Sequence, residues 1–354
     1  LYGGLRLGVF GIEAGGAPAR VAADVEDAKE GRDGERRHPA TGSLAAHVEH
    51  HDAPGLMAQP SFHLAPAPLR WRHVDAEEQN GDFVLRAITD DDNFRVMAAV
   101  TTQTVRGVLA AQQAHGATAA QLGDLVTGSV LIRETMSPAH RVQGILRGAN
   151  GSLVADAHPD GLTRGLLQLR SGNQLELGGT PRLEMMRSMA RGVHRSVIEP
   201  PPRGGVAAAL MTYMQESEQI VTVIAVGTKW REATSDEASE ARLEHAGGYV
   251  VQLLPGAARG PLMIMTERLE AMPPMGDLLA QVAGSPDDLA AELLPGMPFA
   301  QLDRSGVHFG CKCSREAVVA SLASIPRDEL QEILDEEELL EMRCDYCGKE
   351  YKLG

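Results

Sequence analysis

The chain has four cysteines, and all of them lie in its last 44 residues. Cys311 and Cys313 form a C-x-C pair, and Cys344 and Cys347 form a C-x-x-C pair 30 residues further on. Each pair can present two soft ligands to one ion from a single short turn, and a tetrahedral zinc site needs four. Thiols that serve only as core residues scatter along a sequence, whereas these are confined to one terminal block. Such a block is near the size below which a hydrophobic core alone seldom holds a fold, so a metal staple has a physical purpose here. Four free thiols or two structural disulfides are the alternatives. The expected cofactor is Zn²⁺, with Cys311, Cys313, Cys344 and Cys347 as its ligands.

Charge excludes some function classes. The net charge is −15 and the sequence pI about 5.3, the wrong sign for a general nucleic-acid binder. From Cys311 onward there are six Lys/Arg against eleven Asp/Glu, which opposes phosphate contacts by the cysteine block itself. No apolar run is long enough to span a bilayer, and no charged segment followed by an apolar one opens the chain. A cytoplasmic protein without nucleic-acid or membrane partners is expected. In a reducing compartment, this cysteine pattern reads as metal-binding or redox-active rather than as a permanent disulfide scaffold. No Gly-rich phosphate loop, H-E-x-x-H or G-x-S-x-G occurs, so no enzyme is expected. Four thiolates would also close the open position that catalytic zinc requires; nearby His308 reads as a surface residue, not a fifth ligand. The rivals are a nucleic-acid-binding zinc ribbon and a thiol–disulfide exchange protein built on Cys344 and Cys347.

The sequence divides into four blocks. Residues 1–78 are rich in Ala, Gly, Pro, charge and His and have no sustained period. They are expected to be a disordered or spurious N-terminal extension, with a start near Val74. His47, His50 and His51 read there as solvated side chains. Residues 79–257 read as an α+β main domain. Strands are expected at 83–88, 95–100, 141–147, 152–157, 162–169, 174–177, within 182–197, and at 220–226 and 249–254. Helices are expected at 104–113, 117–136 and 206–219, the second with Leu122, Leu125, Val126 and Val130 on one apolar face. Ala149-Asn150-Gly151 and Pro159-Asp160-Gly161 read as turns that use positive φ. Residues 258–305 carry five of the 14 methionines and are cut by prolines into short helices, a Met-rich helical linker. Ser285-Pro286-Asp287-Asp288 is a helix start. Residues 306–354 form the zinc module: a helix capped by Ser314, a second opened by Pro326, and a hairpin around Cys344-Asp345-Tyr346-Cys347-Gly348. The fold class is therefore α+β: a main domain of antiparallel sheets with helices, a helical linker, and a small C-terminal four-cysteine zinc module.

Further motifs stand in order with the cysteines: Tyr213-x-x-x-Ser217-Glu218-Gln219, Ala246-Gly247-Gly248, and Gly310 before Cys311. With C-x-C, the spacing and C-x-x-C-G, they make the chain, from about residue 80 on, resemble the bacterial redox-regulated heat-shock holdases, the thirty-three-kilodalton chaperonins. The resemblance implies a chaperone that is inactive while reduced and zinc-bound. It further implies that disulfides Cys311–Cys313 and Cys344–Cys347 form on oxidation, that zinc leaves, and that the module and linker unfold to engage unfolded or partly folded client proteins, with a homodimer in the oxidised form. The C-x-x-C pair closes an easier ring than C-x-C, so Cys344–Cys347 is expected to form first. Residues 1–78 have no place in that pattern.

Overall fold

A computed structural model describes residues 81–354 apart from 137–138, 190–191, 202, 232–241, 324, 337–338 and 354. The expectations for residues 1–78 lie outside the described residues. The described residues open on a hairpin, β1 (Asp82–Thr89) and β2 (Phe94–Val100), whose turn places Asp92 in the left-handed region at φ 54°. Thr89 closes it, its hydroxyl accepting from the Phe94 amide at 3.0 Å. Helices α1 (Thr102–Gln112) and α2 (Gly116–Glu134) follow. Then come strands β3 (Arg141–Arg147), β4 (Gly151–Ala157), β5 (Leu162–Leu169), β6 (Arg182–Met189) and β7 (Gly192–Ile198). Helix α3 (Gly205–Glu216) leads to β8 (Thr222–Arg231) and β9 (Arg242–Leu253). The linker holds α4 (Arg259–Ala271), α5 (Met275–Gln281) and α6 (Pro286–Leu293), and then an eleven-residue strand, β10 (Phe299–Phe309). The cysteine block adds α7 (Arg315–Leu322), α8 (Arg327–Glu336) and the hairpin β11 (Leu340–Arg343) and β12 (Glu350–Leu353). The mixed α+β class is as expected. Among the described residues no helix is long and apolar enough to cross a membrane.

The large sheet has the order β7-β6-β3-β4-β5-β10-β1-β2-β9-β8. Its two halves are antiparallel throughout. They meet at β10, which pairs with β1 over the whole length of β1 but with β5 only at His308↔Leu162 and Phe309↔Thr163, in parallel. Strand β10 is absent from the sequence reading because Phe299–Phe309 has no sustained apolar alternation; its ladder to β1 holds it. It also runs across residue 305, where the linker was expected to end.

Two cores flank the sheet. In the first, α2 is buried nearly all round: Leu122, Leu125, Val126, Val130, Leu131 and Ile132 are inaccessible. The single apolar face read from the sequence is thus part of a central helix wrapped by sheet and by α1 and α3. In the second, Met275, Leu278, Leu279, Leu289 and Leu293 of the linker helices pack on Leu85, Phe94, Val96 and Val251. Burying these side chains, at ~25 cal/mol per Å² of apolar surface removed from water, ties α5 and α6 to the sheet. Helix α4 is held far less: Met265 is its one buried residue, while Leu262, Met263 and Ile264 are exposed. Ser285 caps α6 as the sequence indicates, accepting from Asp288 N at 3.2 Å.

Two motifs acquire a structural account. Tyr213 donates to Glu218 at 2.5 Å, Arg187 of β6 reaches the same carboxylate at 2.8 Å, and the Ser196 and Ser217 hydroxyls lie 2.6 Å apart, so the end of α3 is pinned to the β6–β7 hairpin. Gly247 and Gly248 sit in β9, where a Cβ would meet the Ala99 and Ala225 carbonyl oxygens at 2.5 and 2.4 Å. Residues 182–197 resolve into that hairpin. Residues 174–177 are not a strand: the Asn150 side chain bonds Gln174 O and Glu176 N at 2.8 and 2.9 Å and draws them onto the 149–151 turn, which uses no positive φ.

The second turn does use it. Gly161 has φ 83°, and a Cβ there would lie 2.2 Å from the Gly306 carbonyl oxygen, at the β5–β10 seam. Gly161→Ala is expected to cost at least the ~1–3 kcal/mol of a strained backbone position, because backbone rather than a flexible side chain blocks it. Thermal denaturation reads this directly; an unchanged midpoint would contradict the close approach.

Candidate metal centre

The end of β10 delivers Gly310 and Cys311 beside β5, where Gly310 N donates to Thr163 O at 3.2 Å. Cys311 and Cys313 are then separated by Lys312, and Ser314 stops the extended run by capping α7, accepting from Ala317 N at 3.2 Å. The second pair sits in the tip of the β11–β12 hairpin. Cys344 N donates to Lys349 O at 2.9 Å, Gly348 N donates to Cys344 O at 2.8 Å, and Gly348 takes φ 73° to make the turn. This knuckle aims Cys344 and Cys347 at the first pair.

All four sulfurs lie within 4.8 Å of one another. Across the two pairs, Cys311 Sγ lies 3.7 Å from Cys344 Sγ and Cys313 Sγ lies 3.4 Å from Cys347 Sγ. A tetrahedron with metal–sulfur bonds of ~2.3 Å has edges of ~3.8 Å, so the residues fit a four-thiolate ion. The four cysteines expected from the sequence are thus brought together. His308 is exposed on β10 and stands outside the group.

The thiols do not ionise alike. Burial opposes ionisation of Cys313, but the Tyr351 hydroxyl, donating at 3.1 Å, and the neighbouring thiols outweigh it and bring Cys313 down to about 7. Burial, and then the neighbouring thiols, push Cys347 up to about 12, and Cys344 is raised mainly by burial. Cys313 therefore forms a thiolate readily and discourages ionisation of Cys347, until a cation makes both compatible.

Around the sulfurs stand residues that the cysteine pattern does not reveal. Tyr351 faces Met342 across the hairpin and, at 7% exposed, is the one buried side chain among the described residues from Cys311 on. Its signal in the sequence is the four-residue step from Cys347 back along the hairpin. From the main domain, Arg164 of β5 donates to Cys311 Sγ at 3.6 Å and lies 3.9 Å from the centroid of the Tyr346 ring. Gln112, the last residue of α1, donates to Asp345 O and Tyr346 O at 2.8 and 3.0 Å. Lys312 pairs with Asp160 at 2.8 Å, both half exposed and so worth little. No local motif marks Arg164 or Gln112; only the folded sheet brings them to the knuckle.

The protein can be compared with others on this footing. A 33 kDa chaperonin of Citrifermentans bemidjiense is 29% identical over 287 residues, covering 76% of this chain and 93% of that one. A 33 kDa chaperonin of Aquifex aeolicus is 24% identical, covering 77% and 87%. The crystal structure of the 33 kDa chaperonin of Thermotoga maritima matches with a TM-score of 0.66 at 17% identity, over 77% of this chain and 94% of that one, which shows the fold. The sequence profile described as Hsp33 protein matches residues 82–354, through both cores to the cysteine hairpin, and the chain belongs to the Hsp33 family.

Proposed function

We propose that this chain is a redox-regulated holdase, held inactive by a zinc ion on Cys311, Cys313, Cys344 and Cys347 and activated when those cysteines are oxidised. Family membership supports a chaperone function. The observation that carries the regulatory part is the four-sulfur cluster in a block where, among the described residues, Tyr351 alone is buried: such a module depends on its metal for folding. Zinc, when bound, keeps the sulfurs as thiolates, the form that reacts with oxidants. A peroxide would take two electrons per disulfide, closing Cys344–Cys347 and Cys311–Cys313 and being reduced to water. The thiolate ligands are then gone, and the module loses its staple. Loosening of the linker follows most readily at α4, which buries only Met265. Its exposed Leu262, Met263 and Ile264 offer apolar surface to unfolded or partly folded clients. A cytoplasmic setting and a homodimeric oxidised form belong to the same reading.

Reduced protein is expected to hold one zinc per chain and to leave an unrelated, heat-denatured protein free to aggregate. Peroxide treatment should release the zinc and suppress that aggregation. Zinc binding should weaken as pH falls, since Cys344 and Cys347, with raised pKa values, must give up protons to become ligands. Carefully reduced protein without zinc would sink the metal assignment, and oxidised protein without anti-aggregation activity would sink the holdase.

A further inference from the structure

We propose that Arg164 and Tyr346 form a latch, through which docking of the cysteine module on the sheet depends on the metal-bound thiolates. The proposal rests on the zinc site argued above and adds the residues that transmit its state.

Tyr346 lies between Cys344 and Cys347, so the knuckle that aims the sulfurs also sets the position of its ring. That ring meets a side chain with no freedom. Arg164 Nε donates to Asp156 at 2.9 Å, and Asp156 is fully buried and gripped also by Arg141 at 2.6 and 2.7 Å and His158 at 3.2 Å. One guanidinium thus faces a carboxylate, the Tyr346 ring and the Cys311 sulfur together. Gln112 fixes the same tip, since its oxygen accepts from Leu167 N at 2.9 Å while its amide holds the Asp345 and Tyr346 carbonyls. The main domain therefore reads the C-x-x-C turn itself.

The sulfur's chemistry makes the contact conditional. A metal-bound thiolate is a charged acceptor for a guanidinium, and a thiol or disulfide sulfur is a weak one. Loss of thiolate charge removes one partner of Arg164, and deformation of the knuckle displaces the second, the Tyr346 ring. Coupling of this kind is reciprocal: if the metal strengthens docking, docking strengthens metal binding by the same factor. Groups that support ligands from outside typically change metal affinity by about 10–100-fold.

The test uses the full-length, zinc-loaded, reduced protein with Arg164→Met, Tyr346→Ala and Tyr346→Phe. Zinc affinity is measured by competition with a chromogenic chelator, and docking by hydrogen exchange at the His308 and Gly310 amides, which bond Gly161 O and Thr163 O. Arg164→Met and Tyr346→Ala are each expected to lower zinc affinity about tenfold and to speed exchange at both amides, while exchange in β1 and β2 stays slow. Tyr346→Phe, which keeps the ring, should behave as the wild type. Combining the first two should cost less than the sum of their separate effects, because they break one contact. Unchanged affinity and exchange in Tyr346→Ala would overturn the latch, and that variant leaves the sheet interior untouched should Arg164→Met fail to fold. If affinity and exchange shift as expected but oxidised wild type suppresses no aggregation, the latch stands and the holdase reading falls. If oxidised wild type is active while both variants remain docked, the reverse holds.

Discussion

Replacing Cys311 and Cys313 together by Ser is expected to abolish stoichiometric zinc binding and to unfold the C-terminal module in reduced protein. Two ligands of four would remain. Structural zinc contributes about 10–16 kcal/mol in small domains, and little else here could replace it. Helix α7 buries no residue, and among the described residues from Cys311 on Tyr351 alone is buried. The acidic side chains of α8, Asp328, Glu329, Glu332 and Asp335, would repel one another in any collapsed, metal-free form. Limited proteolysis of the reduced variant should therefore cut first within residues 311–353, while the sheet and both of its cores stay resistant. The variant should also suppress aggregation partly without oxidant. A compact, inactive variant would show that the module is not the restraint.

Asp156→Asn should be among the most damaging single changes in the main domain. Burial by itself would push the Asp156 carboxyl up, but His158 and Arg141 outweigh it, and the group is held well below the usual carboxylate range. Removing one member of a buried charge cluster costs about 3–5 kcal/mol. Arg141 is 36% exposed and can recover water, so the lower end of that range, about 3 kcal/mol, is expected. The sign of the pH dependence is fixed by the depressed value. The contribution is fully present above the unfolded carboxylate pKa, about 4, and is lost as pH falls from there through the folded value. Urea denaturation of wild type and variant should accordingly differ most near neutrality and converge in acid. A gap that persists unchanged in strong acid would mean that shape, not charge, is what Asn fails to supply.

How much of this was visible in the sequence depends on distance along the chain. The hairpins β3–β4 and β4–β5, the Ser285 and Ser314 caps and the Cys344–Gly348 knuckle are local, and alternation, capping chemistry and turn residues mark them. Strand β10 is not local: its partner β1 lies more than two hundred residues upstream, as the Arg86–Asp303 pair shows, and its side chains alternate too weakly to declare it. The strand expected at 174–177 failed for a related reason, since Asn150 captures that backbone before any ladder can form. At the metal centre, ligand type and spacing disclose the four cysteines. Arg164 and Gln112 come from β5 and α1, and nothing near them in sequence announces a sulfur.

The placement of β10 also governs how the protein can be made. Until residues 299–309 have left the ribosome, β1 and β5 both present open edges, with the apolar Leu85 and Leu162 beside them. A nascent chain in that condition carries two open strand edges, that of β1 while more than two hundred residues are translated and that of β5 while more than one hundred are, the circumstance in which edge-to-edge association competes with folding. Closure of the sheet and arrival of Cys311, two residues after β10, then come almost together. The metal site is thus assembled only on a chain whose sheet has just been completed.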